Sequence, residues 1–356
     1  MGLRYPPFRI CLFSLLVCCC FPQVWAGDAP HTAIGNAAEQ SEHGEQNNTE
    51  SNWHRHQGSA MGTLINVEIW LPDKIKASQL IDGVMAEMHR IDKLMSPYID
   101  TSELAKVNAN AFKEPVAVSE ELYQLIRLAL QHGEWSQGAF DITFASVGFH
   151  YDYRNKIKPD DKWLQQAKTF IDYQAVTLND SGQTIRFLKQ GTKIDLGGIA
   201  KGHAVDQASR YLYQHGVRHG IVSAGGDTRL IGDRMGRPWI LGIKDPRGEG
   251  HQITLPLQEL SVSTSGDYER YFIDQQGIRH HHIINPKSGK SASQVRSVTI
   301  LGPNTTMTDA LSTTVFVMGV SKGLAYINRL PEVSAIIIDA AGRLHYSSDL
   351  VRPTRK

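Results

Sequence analysis

The sequence is short of cysteine, of excess charge and of long apolar runs. Its 356 residues include four cysteines, all of them before position 21, and Lys plus Arg number 37 against 36 for Asp plus Glu, a formal net charge of +1. A chain balanced in this way has no general field that would gather nucleic acid or an anionic membrane, so any phosphate must be bound at a local site. Only one segment is apolar enough for a membrane. These absences exclude a protein that coats nucleic acid and a transporter with many spans.

The apolar segment is the N-terminus. Arg4 and Arg9 precede an apolar run over 10–21, and a small residue, Ala26, follows shortly after it. A positive end, a short apolar core and a small residue before the cleavage point are typical of a secretory signal peptide, which we predict over 1–26. The run is too short for a comfortable transmembrane helix.

A lipoprotein signal is the alternative, because residues 15–18 roughly resemble the motif that is lipidated at its cysteine. Cys18 would then carry a lipid anchor, although Val17 is larger than the residue that such motifs prefer. With cleavage after Ala26 the secreted part contains no cysteine. This excludes a disulfide, a thiolate nucleophile and a cysteine-based zinc site there.

The rest of the chain divides by composition. Polar residues dominate over 27–58 and predict a disordered linker, and a globular domain is predicted over 59–350. Runs of short strands interrupted by few helices favour an α+β fold with mostly antiparallel sheet over a regular β-α-β winding. Strands are predicted near 63–71, 184–188, 192–196, 220–223, 239–243, 253–257, 297–301 and 333–338, and helices near 81–95, 119–133, 203–215 and 308–318.

The strongest local pattern in the domain is a glycine pair between a predicted strand and a predicted helix. Asp195 precedes Gly197 and Gly198, and Lys201 lies at the start of the helix. Such a turn directs backbone N–H groups and the positive helix end towards a phosphate. Lys201 would add a positive charge, and Asp195 could accept from a ribose or a base. The segment matches neither GxGxxG nor GxxxxGK[ST], so a plain strand-to-helix turn is the alternative.

A second pattern places two oxygen ligands on one helix face. Asp309 and Thr313 are spaced i, i+4, so their side chains point the same way. One carboxylate and one hydroxyl, completed by phosphate oxygens, form a partial octahedral site for Mg²⁺. The alternative is that Asp309 is only a favourable first-turn acid on the helix dipole.

Three consecutive histidines precede a turn at Pro286. In an extended segment only His280 and His282 share a face, so the three do not make a three-ligand zinc site. A single imidazole beside a phosphate is better interpreted as a general base that takes a proton from an incoming hydroxyl. A structural histidine that bonds loop carbonyls is the alternative.

Taken in chain order, these segments resemble the ApbE family of FAD:protein FMN transferases. Each motif is weak alone, but eight in the expected order are specific, and the resemblance covers the chain from about residue 58 to 347. The matching segments are 59–63 (SAMGT), 91–98 (IDKLMSPY), 138–143 (GAFDIT), 195–202 (DLGGIAKG), 223–227 (SAGGD), 264–268 (TSGDY), 282–286 (HIINP) and 308–313 (TDALST).

The resemblance implies a Mg²⁺-dependent enzyme that uses FAD as its substrate. It would transfer FMN through a phosphoester bond to a threonine or serine hydroxyl of a target protein and release AMP. The implied fold is a T-fold-related α+β arrangement with the flavin in a cleft between lobes. An FAD pyrophosphatase that makes FMN and AMP, and a non-catalytic periplasmic flavin-binding protein, are the alternatives.

The resemblance also implies roles for particular residues. His282 would be the base that activates the acceptor hydroxyl. Mg²⁺ would be held by Asp309, by Thr313 and by a backbone oxygen at Gly198. The FAD site would be lined by Met61, Tyr98, Ala139, Phe140, Asp141, Asp195, Lys201 and Ile283.

The implied partners are flavin-accepting subunits of membrane respiratory or redox complexes, such as the sodium-pumping NADH:quinone oxidoreductase. With the predicted signal peptide, this indicates a periplasmic protein, either free or anchored to the inner membrane. The sequence departs from the family pattern at Asn285, where Asp is frequent, and at Ser312, where some members have another acid. Ser312 leaves the ligands of a second metal ion in doubt.

Overall fold

Residues 52–351 are described by the structure, which is a computed structural model. The predicted signal peptide over 1–26 and the predicted linker up to residue 51 lie outside the described residues. Within the described chain, side-chain caps begin several helices, for example Asp73, which accepts a hydrogen bond from the backbone N–H of Lys76 at 3.0 Å.

The described chain contains helices and strands in an irregular alternation. The helices are α1 (Lys74–Met95), α2 (Glu103–Asn110), α3 (Glu120–Trp135), α4 (Ala145–Gly148), α5 (Asp161–Ala167), α6 (Ala200–Gln214), α7 (Thr305–Ile327) and α8 (Ser348–Val351). The strands are β1 (Trp53–Ala60), β2 (Thr63–Trp70), β3 (Val116–Ala117), β4 (Val176–Asn179), β5 (Thr184–Phe187), β6 (Gly220–Ala224), β7 (Asp227–Ile231), β8 (Trp239–Lys244), β9 (His251–Leu257), β10 (Ser261–Gly266), β11 (Tyr271–Ile273), β12 (Arg279–His281), β13 (Ile284–Asn285), β14 (Lys290–Ser291), β15 (Val295–Gly302), β16 (Ser334–Asp339) and β17 (Leu344–Tyr346).

The main sheet has eight strands in the order β1-β2-β6-β7-β10-β15-β16-β17. Every neighbouring pair in it is antiparallel. A three-stranded sheet, β3-β5-β4, and the hairpins β8-β9, β11-β12 and β13-β14 complete the strands of the described chain. The predicted α+β class with mostly antiparallel sheet is therefore confirmed.

Alternate residues of the main sheet face two different layers. Val67 and Ile69 of β2 are buried in a core shared with α1 and α6. In β16, Ile337 packs in a core shared with α7, whereas Ile336 and Ile338 face the hairpin of β8 and β9. The period of two along each strand thus separates a helical layer from a hairpin layer.

Helices α6 and α7 cross in unusually close contact at Gly202. A Cβ atom on Gly202 would lie 2.3 Å from the carbonyl oxygen of Thr305. Four residues later, the Asp206 carboxylate accepts from the backbone N–H groups of Thr305 and Thr306, both at 2.8 Å. These N–H groups have no partner within a helix, and an acid suits the positive helix end, so α6 holds the start of α7 in place.

Hydroxyl groups join α7 to β10 along a line that we call the hydroxyl seam. Alternate serines of β10 lie on one sheet face, and hydroxyls three or four residues apart lie on one helix face, so the two rows meet. Ser261 pairs with Thr305 at 2.9 Å, Ser263 with Thr308 at 2.8 Å, and Ser265 with Ser312 at 2.8 Å.

The predicted linker over 27–58 extends too far at its C-terminal end. β1 begins at Trp53, whose ring packs at 5.4 Å from the ring of Trp239. Polar side chains make β1 resemble a linker because it is an edge strand with one largely exposed face, where Gln57 donates to Asn66 at 2.8 Å.

The strand predicted over 192–196 is also wrong. The segment is extended but belongs to no sheet. Its backbone is held instead by other partners: Asn108 donates to and accepts from Ile194 through its side chain, and the N–H of Asp195 donates to the carbonyl of Ile142 at 3.0 Å. Side-chain bonds therefore replace the ladder that the apolar alternation predicted.

The helix predicted over 308–318 is longer at both ends. Asn304 is the N-cap, four residues before the predicted start, since its side-chain oxygen accepts from the backbone N–H of Met307 at 2.9 Å. Gly319 interrupts the helix with a φ of 75°, but the chain then continues in helical form to Ile327. The helix predicted over 119–133 continues to Trp135.

The expectation that only the N-terminal segment is apolar enough for a membrane is wrong by length and composition, because α7 meets the same criterion with a mean hydropathy of 1.3. Its most apolar window is 50% buried inside the protein. It packs against β10, β15 and β16. Its apolar character is therefore that of a core helix.

Gly202→Ala should destabilise the protein because the new methyl group meets backbone atoms that cannot rotate away. We expect a loss of about 1–3 kcal/mol in the free energy of unfolding, measured by urea denaturation. Gly182→Ala is the control, since its Cβ would meet a side-chain atom of Thr184 at an ordinary 3.4 Å. Equal midpoints for the two variants would contradict the close crossing of α6 and α7.

Candidate active site

Three charged side chains from three elements meet in the interior, and we call them the charge cluster. The ammonium of Lys201, in the first turn of α6, lies 2.7 Å from a carboxylate oxygen of Asp227 and 3.3 Å from both oxygens of Asp309. Asp227 begins β7 and Asp309 lies in α7, and each residue is 2% exposed. The backbone N–H of Gly202 also donates to Asp309 at 3.0 Å. The close crossing of α6 and α7 thus brings the cluster together.

The charge cluster holds one more negative charge than positive charge when all three groups are ionised. Burial alone would lower the pKa of Lys201, but Asp227 and Asp309 together raise it above its ordinary value, so the lysine stays charged. Burial, and then repulsion from Asp227, raises the pKa of Asp309 to about 7. A surplus buried carboxylate is costly unless a proton or a second cation joins it.

The three predicted metal ligands lie in the turn before α6 and within α7. Thr313 follows Asp309 by one turn of α7. A Cβ atom on Gly198 would lie 3.2 Å from the Thr313 hydroxyl oxygen and 3.2 Å from the ring of Phe140, so the backbone of Gly198 adjoins both. The hydroxyl of Ser312 lies 2.8 Å from the carbonyl of Asp309 and joins the hydroxyl seam, so it adds no charge to the site.

His282 directly follows β12 and presents a neutral imidazole. Its Nδ1 atom is buried and has no hydrogen-bond partner within the described chain. Burial, with the neighbouring charges of Arg270, His281 and Lys201, lowers the pKa of His282 to about 3. A neutral imidazole with an unbonded nitrogen can accept either a hydrogen bond or a proton.

The other two histidines of the triplet have structural partners. His281 bonds the carbonyl of Ala292 through Nε2 at 2.6 Å, so Nε2 carries the proton, and its Nδ1 accepts from the backbone N–H of Ile283 at 3.3 Å. His280 pairs with Asp274 at 2.8 Å. No group of three or more His, Cys, Asp or Glu side chains suited to a metal occurs in residues 52–351. His281 therefore fixes the backbone on which His282 stands.

Four of the predicted flavin-lining residues have apolar or aromatic side chains with different degrees of exposure. Met61 has a φ of 55° and its backbone N–H donates to Asp92 at 3.0 Å, and Tyr98 is 72% exposed with its ring 5.9 Å from that of Phe149. Ala139 is half-buried and Phe140 is buried next to the glycine pair. Exposed and half-buried apolar groups of this kind can receive a planar ligand.

Two predicted residues are already engaged inside the protein. Asp141 accepts from the N–H and hydroxyl of Thr143, at 2.8 Å and 2.5 Å, and from the N–H of Tyr173 at 3.0 Å. Burial raises its pKa to about 6. Ile283 uses its N–H on His281, and its carbonyl accepts from Ala292 at 3.0 Å. In this structure both residues shape the loops of the site.

Asp195 keeps one oxygen available. Its Oδ1 atom accepts from the backbone N–H of Gly197 at 2.5 Å, and its second oxygen makes no hydrogen bond within the described chain. Partial burial of the Tyr98 hydroxyl, followed by the negative charge of Asp195, raises the pKa of Tyr98. The carboxylate and the phenol therefore lie on the same side of the site.

Sequence reasoning missed Asp227 as a functional residue. In the sequence it stands only as the last residue of the matching segment over 223–227, without a predicted role. The signal that could have found it is an acid at the first position of a largely buried strand, where an unpaired charge would be costly. Its partner Lys201 lies 26 residues away in the chain, so no local spacing connects the two.

Comparison with protein-family models gives a match that covers the site just described. The model of the ApbE family matches residues 61–337. The chain belongs to the ApbE family. The match spans every predicted site residue from Met61 to Thr313 and confirms the resemblance noted from the eight motifs.

The relatives and solved structures that are similar to this ApbE-family chain carry consistent names. A Treponema pallidum protein named FAD:protein FMN transferase is 32% identical over 83% of this chain and 87% of its own length. One of the same name from Vibrio cholerae is 30% identical over 83% of this chain and 91% of its own. An ApbE protein of Thermotoga maritima superposes with a TM-score of 0.78 at 34% identity, covering 85% of this chain and all of that one. The flavin transferase ApbE of Vibrio cholerae gives 0.76 at 27% identity, covering 84% and 98%.

Lys201→Gln should destabilise the protein more at pH 8 than at pH 5. Without the ammonium, Asp227 and Asp309 remain as unpaired buried carboxylates, and the folded pKa of Asp309 lies above its unfolded value. The charged form of Asp309 therefore opposes folding increasingly as the pH rises from about 4 towards 7. We expect a cost of about 3–5 kcal/mol at pH 8, measured by chemical denaturation with a metal chelator present.

Lys189→Gln is the matched control, because the Lys189 side chain pairs with Asp172 at 2.6 Å while 46% exposed. Such a surface pair contributes at most about 1 kcal/mol. A Lys201→Gln cost that does not change between the two pH values would show that the lysine acts by packing and not by charge.

Proposed function

We propose that this protein transfers FMN from FAD to a threonine or serine hydroxyl of an acceptor protein in a Mg²⁺-dependent reaction that releases AMP. The observation that carries the proposal is a surplus buried carboxylate, Asp309, close to a neutral imidazole with an unbonded nitrogen, His282. The charge of Lys201 contributes to the pKa of both groups, which supports assigning them to one site. The names of the similar proteins support the same reaction.

The residues present fit a magnesium ion. Asp309 supplies a charged oxygen, Thr313 a neutral one on the same helix face, and the backbone of Gly198 adjoins the Thr313 hydroxyl. A divalent cation would also compensate the surplus negative charge of the charge cluster. Mg²⁺ seldom needs more protein ligands than these, because phosphate oxygens and waters complete its shell. When bound, it would neutralise phosphate oxygens during transfer.

The remaining chemistry is positioning and proton transfer. The acceptor hydroxyl oxygen attacks the phosphorus on the FMN side of FAD, the bond from that phosphorus to the bridging oxygen breaks, and AMP leaves with the bridging oxygen. His282 takes the hydroxyl proton, and Lys201 stabilises charge on the phosphates. Phosphoryl transfer needs little covalent participation from the protein, so a rigid site suffices.

A labelling assay tests the function directly. The purified protein is incubated with FAD, Mg²⁺ and an acceptor domain, and the products are separated on a denaturing gel. We expect flavin fluorescence on the acceptor band and release of one AMP for each flavin attached. Free FMN without labelled protein would identify a pyrophosphatase, and intact FAD after hours would identify a flavin-binding protein without turnover.

His282→Ala should bind FAD as the parent does but transfer FMN at least roughly a hundredfold more slowly, because it lacks the proton acceptor. His280→Ala is the control on the same hairpin, since His280 pairs with Asp274 and has no role in the step. Rates and flavin affinity are measured separately, by gel labelling and by fluorescence titration. Transfer at the parent rate by the His282 variant would exclude it as the base.

Asp309→Asn should abolish transfer while leaving the metal-free protein at least as stable as the parent, because one of two repelling buried carboxylates becomes neutral. We also expect Mg²⁺ to raise the Tm of the parent but not that of the variant, since only the parent binds the ion. Asp82→Asn, an exposed change on α1, should keep the full Mg²⁺ response. A Tm increase of equal size in Asp309→Asn would place the metal elsewhere.

The acceptors and the cellular location follow from the same proposal. The acceptors are flavin-carrying subunits of membrane respiratory or redox complexes, such as the sodium-pumping NADH:quinone oxidoreductase. The predicted signal peptide supports a periplasmic protein, free or anchored to the inner membrane. Mass spectrometry of the mature N-terminus distinguishes the two forms: a chain beginning at Gly27 is free, and a lipid-modified Cys18 is anchored.

A further inference from the structure

We infer that Arg270 binds the phosphate of FAD that leaves as AMP and stabilises the charge that develops on it. The inference rests on the proposed FMN transfer and adds a phosphate-binding residue to it. Arg270 belongs to none of the residue sets that the sequence motifs predicted. Two observations identify it: its position directly opposite His282, and the absence of an anionic partner for its guanidinium within residues 52–351.

Arg270 lies directly opposite His282 at the open end of the β11-β12 hairpin. The backbone N–H of His282 donates to the carbonyl of Arg270 at 3.1 Å. This bond extends the ladder in which Tyr271 pairs with His281 and Phe272 with His280. Residues directly opposite in an antiparallel pair project their side chains on the same face, about 5 Å apart at Cβ. The guanidinium and the predicted base are therefore side by side.

Arg270 is exposed, and its guanidinium makes no hydrogen bond or ion pair within residues 52–351. The neighbouring arginines are engaged: Arg247 pairs with Asp267 in a bidentate manner, and Arg279 stacks on Tyr271 at 3.7 Å. Lys201 is also neutralised, by the two carboxylates of the charge cluster. Arg270 is thus a cation of this site that has no anion.

The charge of Arg270 reaches groups from several elements around the site. Burial is the larger cause of each shift, but Arg270 contributes to lowering the pKa of His282 and opposes the increases at Asp195, Tyr98 and Tyr153. These residues lie on four separate segments of the chain. Their common response supports the position that the hairpin gives to the guanidinium, within reach of these four groups.

The change in negative charge on each phosphate of FAD during transfer indicates which of the two Arg270 would bind. The phosphate on the FMN side carries one negative charge in the diphosphate of FAD and one in the phosphodiester product, so its charge does not grow. The bridging oxygen keeps the electron pair of the broken bond, so the AMP phosphate passes from one to two negative charges, while the hydroxyl proton goes to His282. A guanidinium without a carboxylate partner is the group that gains most from this added charge, and its two parallel N–H groups match phosphate oxygens.

The test compares the binding of FAD with that of FMN, which lacks the AMP phosphate. For Arg270→Gln we expect FAD affinity to fall at least tenfold and FMN affinity to stay within about twofold. Arg270→Lys should be intermediate, because the charge remains and the fork is lost. Arg279→Gln, on the opposite face of the hairpin, should leave the ratio of FAD to FMN affinity unchanged. Binding is measured by fluorescence titration without acceptor, so no turnover is required.

Any other result contradicts either the assignment of Arg270 or the proposed function. Unchanged FAD affinity, or equal weakening of FAD and FMN, overturns the assignment to the AMP phosphate. Normal flavin binding with a raised KM for the acceptor would mean that the guanidinium contacts a carboxylate of the acceptor instead, which also overturns it. If the parent protein itself binds neither flavin, the proposed function fails, and that result is distinct from a failure of Arg270. A Tm within a few degrees of the parent confirms that the variants are folded.

Discussion

A lysine ammonium buried between two carboxylates is the interaction on which the rest of the site depends. Lys201 ties α6 to β7 through Asp227 and to α7 through Asp309. Three buried charges are stable only when each has a partner, so any change that separates these elements carries a large electrostatic cost. The count of charges matters as much as the contacts: the one carboxylate in excess leaves a surplus negative charge that a proton or a second cation would compensate.

The site has two walls of different electrostatic character. The helical wall, built on the crossing of α6 and α7, carries the surplus carboxylate and the predicted metal ligands. The hairpin wall carries an uncharged imidazole, held by the partner bonds of His281, and the unpaired guanidinium of Arg270. The diphosphate of a dinucleotide placed between these walls would have a cation on each side. One would be the metal ion and the other the guanidinium of Arg270. The acceptor hydroxyl can then approach a phosphorus atom whose charge is already compensated.

The sequence predicted those parts of the site that local spacing determines. The i, i+4 relation of Asp309 and Thr313 and the alternation that separates His282 from His281 both depend on backbone periodicity, and the structure preserves both. Asp227 was missed because its contact with Lys201 exists only after β7 and α6 have packed. The predicted strand over 192–196 failed for a related reason: its apolar alternation is real, but Asn108 and Ser146 provide the hydrogen bonds that a neighbouring strand would have given. The edge strand β1 was not predicted, because the polar residues on its exposed face resemble those of a linker.

The hydroxyl seam has a consequence for how quickly the site can adapt to a cation. Ser265 lies within hydrogen-bond distance of both Ser312 and Thr313. Because the single hydrogen of the Ser312 hydroxyl is donated to the carbonyl of Asp309, Ser312 accepts from Ser265, and the Ser265 oxygen is left to accept from Thr313. The Thr313 O–H group reorients by rotation alone, while every carbon and oxygen atom stays in place. The Thr313 hydroxyl can therefore direct a lone pair towards a bound cation while its hydrogen points to Ser265. The heavy atoms of the helix and the strand stay fixed, and only the hydroxyl hydrogen reorients.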